Sequence, residues 1–325
     1  MRCLVTAIGS MSAEAVIVAV SRHPGATVVG CNIHPPEWSA AARLVDRFHQ
    51  VPSARDTPAY ISRLLEICAS EQISHIIALT DPEVDALSGE RRRFEDQNVR
   101  LCIPSTPAIR LARDKLALYR CFSGHPRIHP IPTAELGWEL PPGFPYPLLA
   151  KPRHGRSREG HIVIPDASAL AFWRSRLGRD AYVLQPLLQG EVFVSDVVRE
   201  LDDSLSIAMT RRELLRTPNG AGMTVKMEPG HECDALAREA AGTIGLHGCV
   251  NLEFLVVDGA PLLMDVNPRF SAGVAFSLMA GYDMVANHLR CFGAGGTIDP
   301  VIRAPDAVYV RGMVEYPSGT SHATP

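Results

Sequence analysis

Glu253, Asp265 and Asn267 are the side chains in this chain best placed to do chemistry together. They stand on two strand-like runs, VNLEFLVV and APLLMDVN, joined by a tight Asp258-Gly259 turn within the stretch from Gly248 to Gly273. Strand alternation puts Asp265 and Asn267, two residues apart, on one face, and the hairpin returns that face to Glu253. Two carboxylates and an amide carbonyl then meet. This all-oxygen, incomplete ligand set suits a hard divalent cation, with positions left for water and phosphate oxygens as Mg2+ prefers. Arg269, two residues beyond Asn267, adds a positive fork suited to an anionic substrate group or a transferred phosphoryl. A solvated hairpin is the plainer alternative. Against it, Asp265 interrupts an otherwise apolar strand, where an unpaired charge is costly and a cation would remove the cost.

The elements that must position this hairpin begin with a βα-alternating half. Strand-like runs at Cys3-Ala7, Thr27-Cys31, His75-Leu79 and Val99-Ile103 alternate with helical stretches near Ala13-Ser21, Pro58-Ser70 and Pro82-Phe94. That order predicts a parallel, doubly wound, Rossmann-like sheet. Its first turn, AIGSMSAEAV, lacks the full G-x-G-x-x-G phosphate fingerprint, which argues against a dinucleotide bound there and against a dehydrogenase. In the same domain Thr80, Asp81 and Glu83 lie where a strand enters a helix. Helix capping and contact with a cationic substrate group are both open to them.

Farther along, the stretch from His125 to Pro147 holds seven prolines. It cannot be a continuous helix or a central strand, and reads as a linker into the next domain. Next, PLLAKP places Lys151 at the end of an apolar strand. The loop RHGRSREG after it returns through HIVI as an antiparallel partner, and Gly155 and Gly160 in that loop let backbone amides approach an anion. Arg156 and Arg158 between them either grip phosphates or point to solvent. Downstream, SLSIAMTRRELLRTPNGAGMTVKM supplies Arg211, Arg212 and Arg216, and alternation lets only one of Arg211 and Arg212 face a cleft.

Composition sets the outer bounds. The chain has 325 residues, 46% of them hydrophobic and 21% charged, with a net charge of −3. It is long enough for two or three packed domains and has no global basic surface, so small molecules are favoured over nucleic acid. The eight cysteines form no C-x-x-C pair and several sit in apolar patterns, which reads as buried thiols in the cytoplasm. No apolar run approaches the roughly 20 residues of a membrane span. Among the twelve histidines only His125 and His129 stand four apart, and Pro126 between them makes a helical metal pair untenable. HExxH, G-x-S-x-G and Walker A motifs are missing.

The hairpin, ending in an acidic residue followed shortly by Asn-Pro-Arg, resembles the metal-binding end of the ATP-grasp superfamily, in its carbamoyl-phosphate-synthetase-like branch. The resemblance runs from the first strand to the helix after Gly281. It implies a mixed α/β and α+β chain: a Rossmann-like domain at 1–105, a linker and first ATP-grasp subdomain with the phosphate flap at 106–183, and a second subdomain with the metal site at 184–325. It also implies that the lysine of the Asp114-Lys115 pair reaches nucleotide phosphates. In such proteins Gln185 would face the adenine amino group, the backbone around Leu187 and Leu188 would bond the ring edge, and Glu191 would take the ribose hydroxyls. An acid is common at the first of these positions, so Gln185 departs from the pattern, as do the charged residues between the flap glycines. Met264 would supply a polarizable wall for the base or simply fill the core.

The function this implies is an ATP-dependent carboxylate-amine ligase using ATP and Mg2+ (or Mn2+). It would join a carboxylate to an amine, both small and amino-acid-like, through an acyl phosphate, with release of ADP and phosphate. Arg269 and one of Arg211 and Arg212 would neutralise charge during transfer. The alternatives are a carboxylate kinase or carbamoyl-type enzyme that forms no amide, and a non-catalytic nucleotide-binding module. The chain end, VEYPSGTSHATP, reads as a flexible tail. With no sizeable domain after the hairpin, the amine site must come from the N-terminal domain and the flap, which leaves room for a homodimer.

Overall fold

The structure is a computed structural model that describes residues 1–137, 139–141, 144–293, 297–302 and 305–318. Part of the expected tail, 319–325, therefore lies outside the described residues. So do Trp138, Pro142 and Gly143 of the proline-rich stretch.

The N-terminal half alternates as its sequence predicts. In order it runs β1 (Arg2–Val5), α1 (Ala13–Ser21), β2 (Thr27–Asn32), β3 (Arg47–Gln50), α2 (Thr57–Glu71), β4 (His75–Ile77), α3 (Asp81–Gly89), α4 (Arg91–Glu95) and β5 (Arg100–Leu101). The strands form one parallel sheet in the order β3-β2-β1-β4-β5. Near-continuous apolar runs, CLV in β1, VVGC in β2 and II in β4, are buried on both faces, as a doubly covered parallel sheet requires. Two local readings change. β3 was not anticipated, because its RFHQ is polar and half-exposed at the sheet edge. The single helix expected over 82–94 breaks at Glu90, after the weak helix former Gly89.

Two helices follow, α5 (Thr106–Arg113) and α6 (Lys115–Phe122). Asp114 between them is extended, and its carboxylate caps α6 by accepting from the Leu116 and Ala117 amides. Lys115 is thereby the first residue of a helix. Helical spacing in RDKLALYRCF points Leu116, Tyr119 and Phe122 inward; Leu116 and Phe122 are buried, but Tyr119 is only half-buried and Leu118 takes the inward place.

The remaining strands form two sheets. β6 (His129–Pro130), β7 (Ala134–Glu135), β8 (Leu148–Pro152) and β9 (Ile162–Ile164) come first, followed by α7 (Ala167–Arg174), β10 (Tyr182–Pro186), β11 (Glu191–Arg199), β12 (Ser206–Arg216) and β13 (Gly222–Met227). α8 (Glu232–Ile244), β14 (Gly248–Val257), β15 (Ala260–Asn267), α9 (Val274–Met279), α10 (Met284–Phe292) and β16 (Val308–Val310) follow among the described residues. The smaller sheet has the order β7-β10-β8-β9 and the larger β16-β13-β12-β11-β14-β15-β6. All pairs in both are antiparallel except β15 with β6. The proline-rich stretch thus contributes an edge strand to each sheet, β6 to the larger and β7 to the smaller. The division drawn at 183/184 falls inside β10, all five residues of which pair with β8; the chain changes sheets between Pro186 and Glu191.

Shared apolar packing fixes the N-terminal sheet against the large one. Cys3, Val5, Val16 and Val20 form one core with Phe270, Val274, Phe276 and Phe292. A second core, from α5, α6 and α8, covers the other face of the large sheet. Each fully buried large side chain contributes about 1.5–3 kcal/mol, so the hairpin β14–β15 is clamped from both sides.

Candidate active site

The hairpin turns through Asp258 and Gly259, both left-handed at φ 49° and 80°, the geometry of a tight turn that an Asp-Gly pair favours. Its register sets Glu253 directly opposite Asp265 and Asn251 opposite Asn267, with an irregularity just after Glu253. Directly opposed residues share a face, so all four side chains meet. Asn267 donates to Asn251 at 3.1 Å and lies 3.5 Å from Glu253 Oε1. Its amide presents NH2 to the carboxylate and its oxygen to Arg269, and a half-turn exchanges the two.

Two cavities meet at this face. One, of about 530 Å³, lies between the small sheet and the hairpin and is lined by Lys115, Lys151, Gln185, Leu187, Leu188 and Met264 among others. The second, of about 540 Å³, opens toward the N-terminal sheet and is lined by Asp81, Arg211, Asn251, Asn267 and Arg269 among others. Glu253, Asp265, Arg216, Asn219, Gly220, Arg156 and Ser157 line both. The carboxylate pair thus stands in the common wall.

The first cavity has a cationic end and an apolar end. Lys151 is 7% exposed, and its ammonium has no hydrogen-bond partner among the described residues. Burial lowers its pKa to about 8 against the pull of Asp265. Lys115 sits 3.8 Å from Asp265 and donates to the flap carbonyl of Gly155 at 3.3 Å. Arg113 donates to the same carbonyl at 3.3 Å. Ser157, Arg158 and Gly160 carry positive φ, so the flap tip presents Arg156, Ser157 and Arg158 to the cavity while Gly155 and Gly160 shape the turn. His161 lines the same end, and burial together with Lys151 and Lys115 brings it down to about 4.

At the apolar end Gln185 is 4% exposed. Its Nε2 donates to the Thr133 hydroxyl at 2.9 Å, that hydroxyl donates to the Ile131 carbonyl at 2.8 Å, and Gln185 Oε1 is buried without a partner among the described residues. The Leu187 and Leu188 amides are already engaged, to the Pro147 and Pro186 carbonyls. Glu191 does not belong here. At the outer start of β11 it is exposed and pairs with Arg212 at 2.7 Å, while Gln189 and Gly190 line the cavity instead.

Among the arginines, the parity of β12 resolves the pair left open by the sequence. Arg211 is 1% exposed, salt-bridged to Asp196 at 2.8 Å and Glu213 at 3.2 Å, and lines the second cavity. Arg212 faces the other way, with Glu191 and Glu228, and lines neither cavity, which removes it from the site. Arg216 reaches Glu253 at 3.0 Å. Burial pushes the Glu253 carboxyl up, with Arg216 opposing and Asp265 adding to the rise. Arg269 forms a two-bond fork with Asp81, 3.0 Å on each arm, joining the hairpin to α3. Asp81 is 1% exposed; burial would raise its pKa, but Arg269 and Arg113 hold it below its ordinary value. Thr80 precedes α3 without a side-chain cap bond. Glu83 instead accepts from Thr6, Thr80 and Tyr60 and is buried. Glu213 and Asn251 escaped the sequence reading, although each lies two residues from a residue it did select, Arg211 and Glu253, on the same strand face.

As a cation site the hairpin offers two carboxylates, side chains 20% and 27% exposed, and one amide. Among the described residues no group of three His, Cys, Asp or Glu side chains stands together as a metal site. The two acids with an amide still fit a hard cation that keeps other oxygen ligands, and Lys115 and Arg216 balance them here.

Known proteins share this architecture. A family model described as "PylC-like, N-terminal domain" matches residues 3–102, and one described as "ATP-grasp in the biosynthetic pathway with Ter operon" matches residues 179–311. The chain therefore holds an ATP-grasp domain behind a PylC-like N-terminal one. The carbamoyl phosphate synthase large chain of Clostridium botulinum is 22% identical over 209 residues, which are 59% of this chain and 20% of that one. The chain thus spans a fifth of the length of that relative. The biotin carboxylase domain of Hydrogenobacter thermophilus 2-oxoglutarate carboxylase, solved with MgADP, ADP and bicarbonate, superposes with a TM-score of 0.75 at 15% identity, covering 91% of this chain and 70% of that one. N5-carboxyaminoimidazole synthetase of Staphylococcus aureus, solved with ADP, gives 0.70 at 14% identity, covering 95% and 79%. The L-amino acid ligase of Bacillus licheniformis gives 0.67 at 15% identity, covering 89% and 73%. Among the described residues no helix is long and apolar enough to cross a membrane.

Proposed function

We propose that the protein is an ADP-forming carboxylate-amine ligase that uses ATP and Mg2+. The observation that carries this reading is the common wall: two cavities of similar volume, one cationic with an apolar end and one rich in arginine, meet at Glu253 and Asp265. Solved relatives with the same fold hold ADP or MgADP, which supports nucleotide in the first cavity. Gln185 Oε1 awaits a donor such as an exocyclic amino group, Met264 and Leu187 offer apolar walls, and Lys151 and Lys115 neutralise phosphate oxygens.

Glu253, Asp265 and Asn267 would hold Mg2+, which supplies charge neutralisation on the terminal phosphates. Arg269, its fork engaged by Asp81, lines the second cavity and would offer the substrate carboxylate its one remaining Nη1 hydrogen and its positive charge. A carboxylate oxygen bonds to the γ-phosphorus while the bond to its bridging oxygen breaks, and ADP leaves with that electron pair. The amine nitrogen then attacks the acyl carbon, the carbon–oxygen bond to phosphate breaks, inorganic phosphate departs, and the amine proton passes to water. Flap residues Arg156 and Ser157 line both chambers and screen the junction from solvent. The volume of the second cavity favours a two-substrate reaction over a kinase that stops at the phosphorylated acid.

The test is incubation with ATP, Mg2+ and a panel of carboxylates and amines. ADP and phosphate should form only when both partners are present, and hydroxylamine should trap the activated acid as a hydroxamate. Release of AMP and pyrophosphate would refute the mechanism.

A further inference from the structure

α3 carries two aspartates one turn apart, Asp81 and Asp85, and each holds a different arginine. Asp81 takes the fork of Arg269, 3.0 Å on each arm, at the wall of the second cavity. Asp85 takes Arg113, the last residue of α5, through Nε at 3.2 and 3.3 Å and Nη2 at 3.2 Å. The Arg113 side chain is 11% exposed and lines neither cavity, so it acts on their occupants only through what it holds. Its Nη1 continues to the flap, donating to the Gly155 carbonyl at 3.3 Å, with Asp81 Oδ1 3.7 Å away. The Lys115 ammonium takes the other lone pair of that carbonyl at 3.3 Å. The two bolts are not equivalent. Lys115 lines the first cavity and stands 3.8 Å from Asp265, where a phosphate can draw it away, whereas Arg113 is locked to Asp85. Beyond Gly155 the flap has two turn bonds of its own, from the Glu159 amide to the Arg156 carbonyl and from the His161 amide to the Arg158 carbonyl.

We propose that Arg113 is a positioning residue for the transfer: it seats the base of the flap on α3, the helix that also fixes Arg269, and keeps it there when Lys115 turns to phosphate. The contacts run from Arg269 through Asp81, the first turn of α3, Asp85 and Arg113 to Gly155. One helical turn thereby gauges the distance between the cation of the second cavity and the cover of the first. Chemistry that depends on placement is sensitive to shifts of about 1 Å, and the flap tip carries Arg156 and Ser157, which line both cavities. The role in transfer rests on the ligase reading; the bolt between flap and α3 does not.

Trypsin tests the bolt on the full chain without ligand, since its rate of cutting after Arg156 and Arg158 follows the population of opened flap. Arg113→Gln should raise that rate roughly tenfold or more, what one charge-assisted hydrogen bond supplies. Asp85→Asn, at a carboxylate 46% exposed, should raise it in the same direction with the fold undisturbed, and decides the matter should Arg113→Gln not fold. Arg113→Lys, able to reach the carbonyl or Asp85 but not both, should fall between wild type and Arg113→Gln. Competition titration with adenosine and with AMP-PNP in Mg2+ gives the second readout. In either variant AMP-PNP, whose terminal phosphates would lie under the flap, should lose roughly tenfold in affinity and adenosine nothing. Unchanged flap cutting in both variants, or equal losses for adenosine and AMP-PNP, overturns the proposal, the latter by showing a merely structural role. A wild type that binds neither adenosine nor AMP-PNP refutes the nucleotide reading instead, and the trypsin rates then decide the bolt.

Discussion

Replacing Thr133 by valine should change which nucleotide the protein prefers. The Thr133 hydroxyl has one proton, given to the Ile131 carbonyl at 2.8 Å, so toward Gln185 it can only accept. Gln185 must therefore turn its NH2 to Thr133, which leaves Oε1 as a fixed acceptor, buried and unpartnered. An unsatisfied buried acceptor costs about 1–3 kcal/mol. Adenine brings an amino donor to that oxygen, whereas guanine brings a second acceptor. The difference corresponds to roughly 5- to 150-fold in Kd in favour of ATP. Without the hydroxyl the amide is free to turn over, and the ATP:GTP ratio should fall toward unity, while Thr133→Ser should keep it. Competition titration against a fluorescent adenine nucleotide in Mg2+, with thermal unfolding as a check on folding, measures the ratio directly. A wild type that binds the two nucleotides equally, or a valine variant that keeps the wild-type ratio, would refute the reasoning.

Arg211→Ala should cost about 3–5 kcal/mol in urea unfolding, because it strands Asp196 and Glu213 in the interior. Arg212→Ala, on the solvent side with Glu191 and Glu228, should cost about 0–1 kcal/mol and leave turnover nearly unchanged. Asp265→Asn should weaken the Mg2+-dependent part of ATP binding by at least the roughly 10–100-fold that outer-shell changes cause, with metal-free binding little affected, as read by calorimetry with and without EDTA. His288 is 3% exposed, accepts from the Cys249 amide and donates to the Cys102 carbonyl, and burial lowers it to about 3. Its folded pKa lies below the unfolded value of 6.5, so the unfolded chain binds the proton preferentially. Its contribution is therefore full above pH 6.5 and falls away as pH drops toward 3, with about 2 kcal/mol lost by pH 5. Unfolding of wild type and His288→Gln at pH 7 and pH 5 should show that drop in the wild type alone.

Period-2 alternation and the Asp-Gly turn made the hairpin legible, since opposing residues on a tight hairpin have little freedom of register. The βα alternation likewise announced the N-terminal sheet. What pattern could not give was the direction each face points. Arg211 and Arg212 are equally cationic, and only the pairing of β12 with β11 and β13 decides between burial among Asp196 and Glu213 and exposure beside Glu228. Glu191 failed for the same reason: it begins β11 in register with Val256 and shares the outer face with Arg212. The proline-rich stretch defeated local reading altogether, because β6 and β7 are two residues each and exist only through partners far along the chain.

Because Arg156, Ser157 and the 216–220 loop belong to both chambers, neither can be filled without constraining the other's boundary. With the proposed occupants, nucleotide and acceptor would therefore be thermodynamically linked: whatever factor one adds to the other's affinity, the second must return to the first. A titration of either compound by itself misses that coupling, which appears only when one is titrated in the presence of the other and is the same factor in either order.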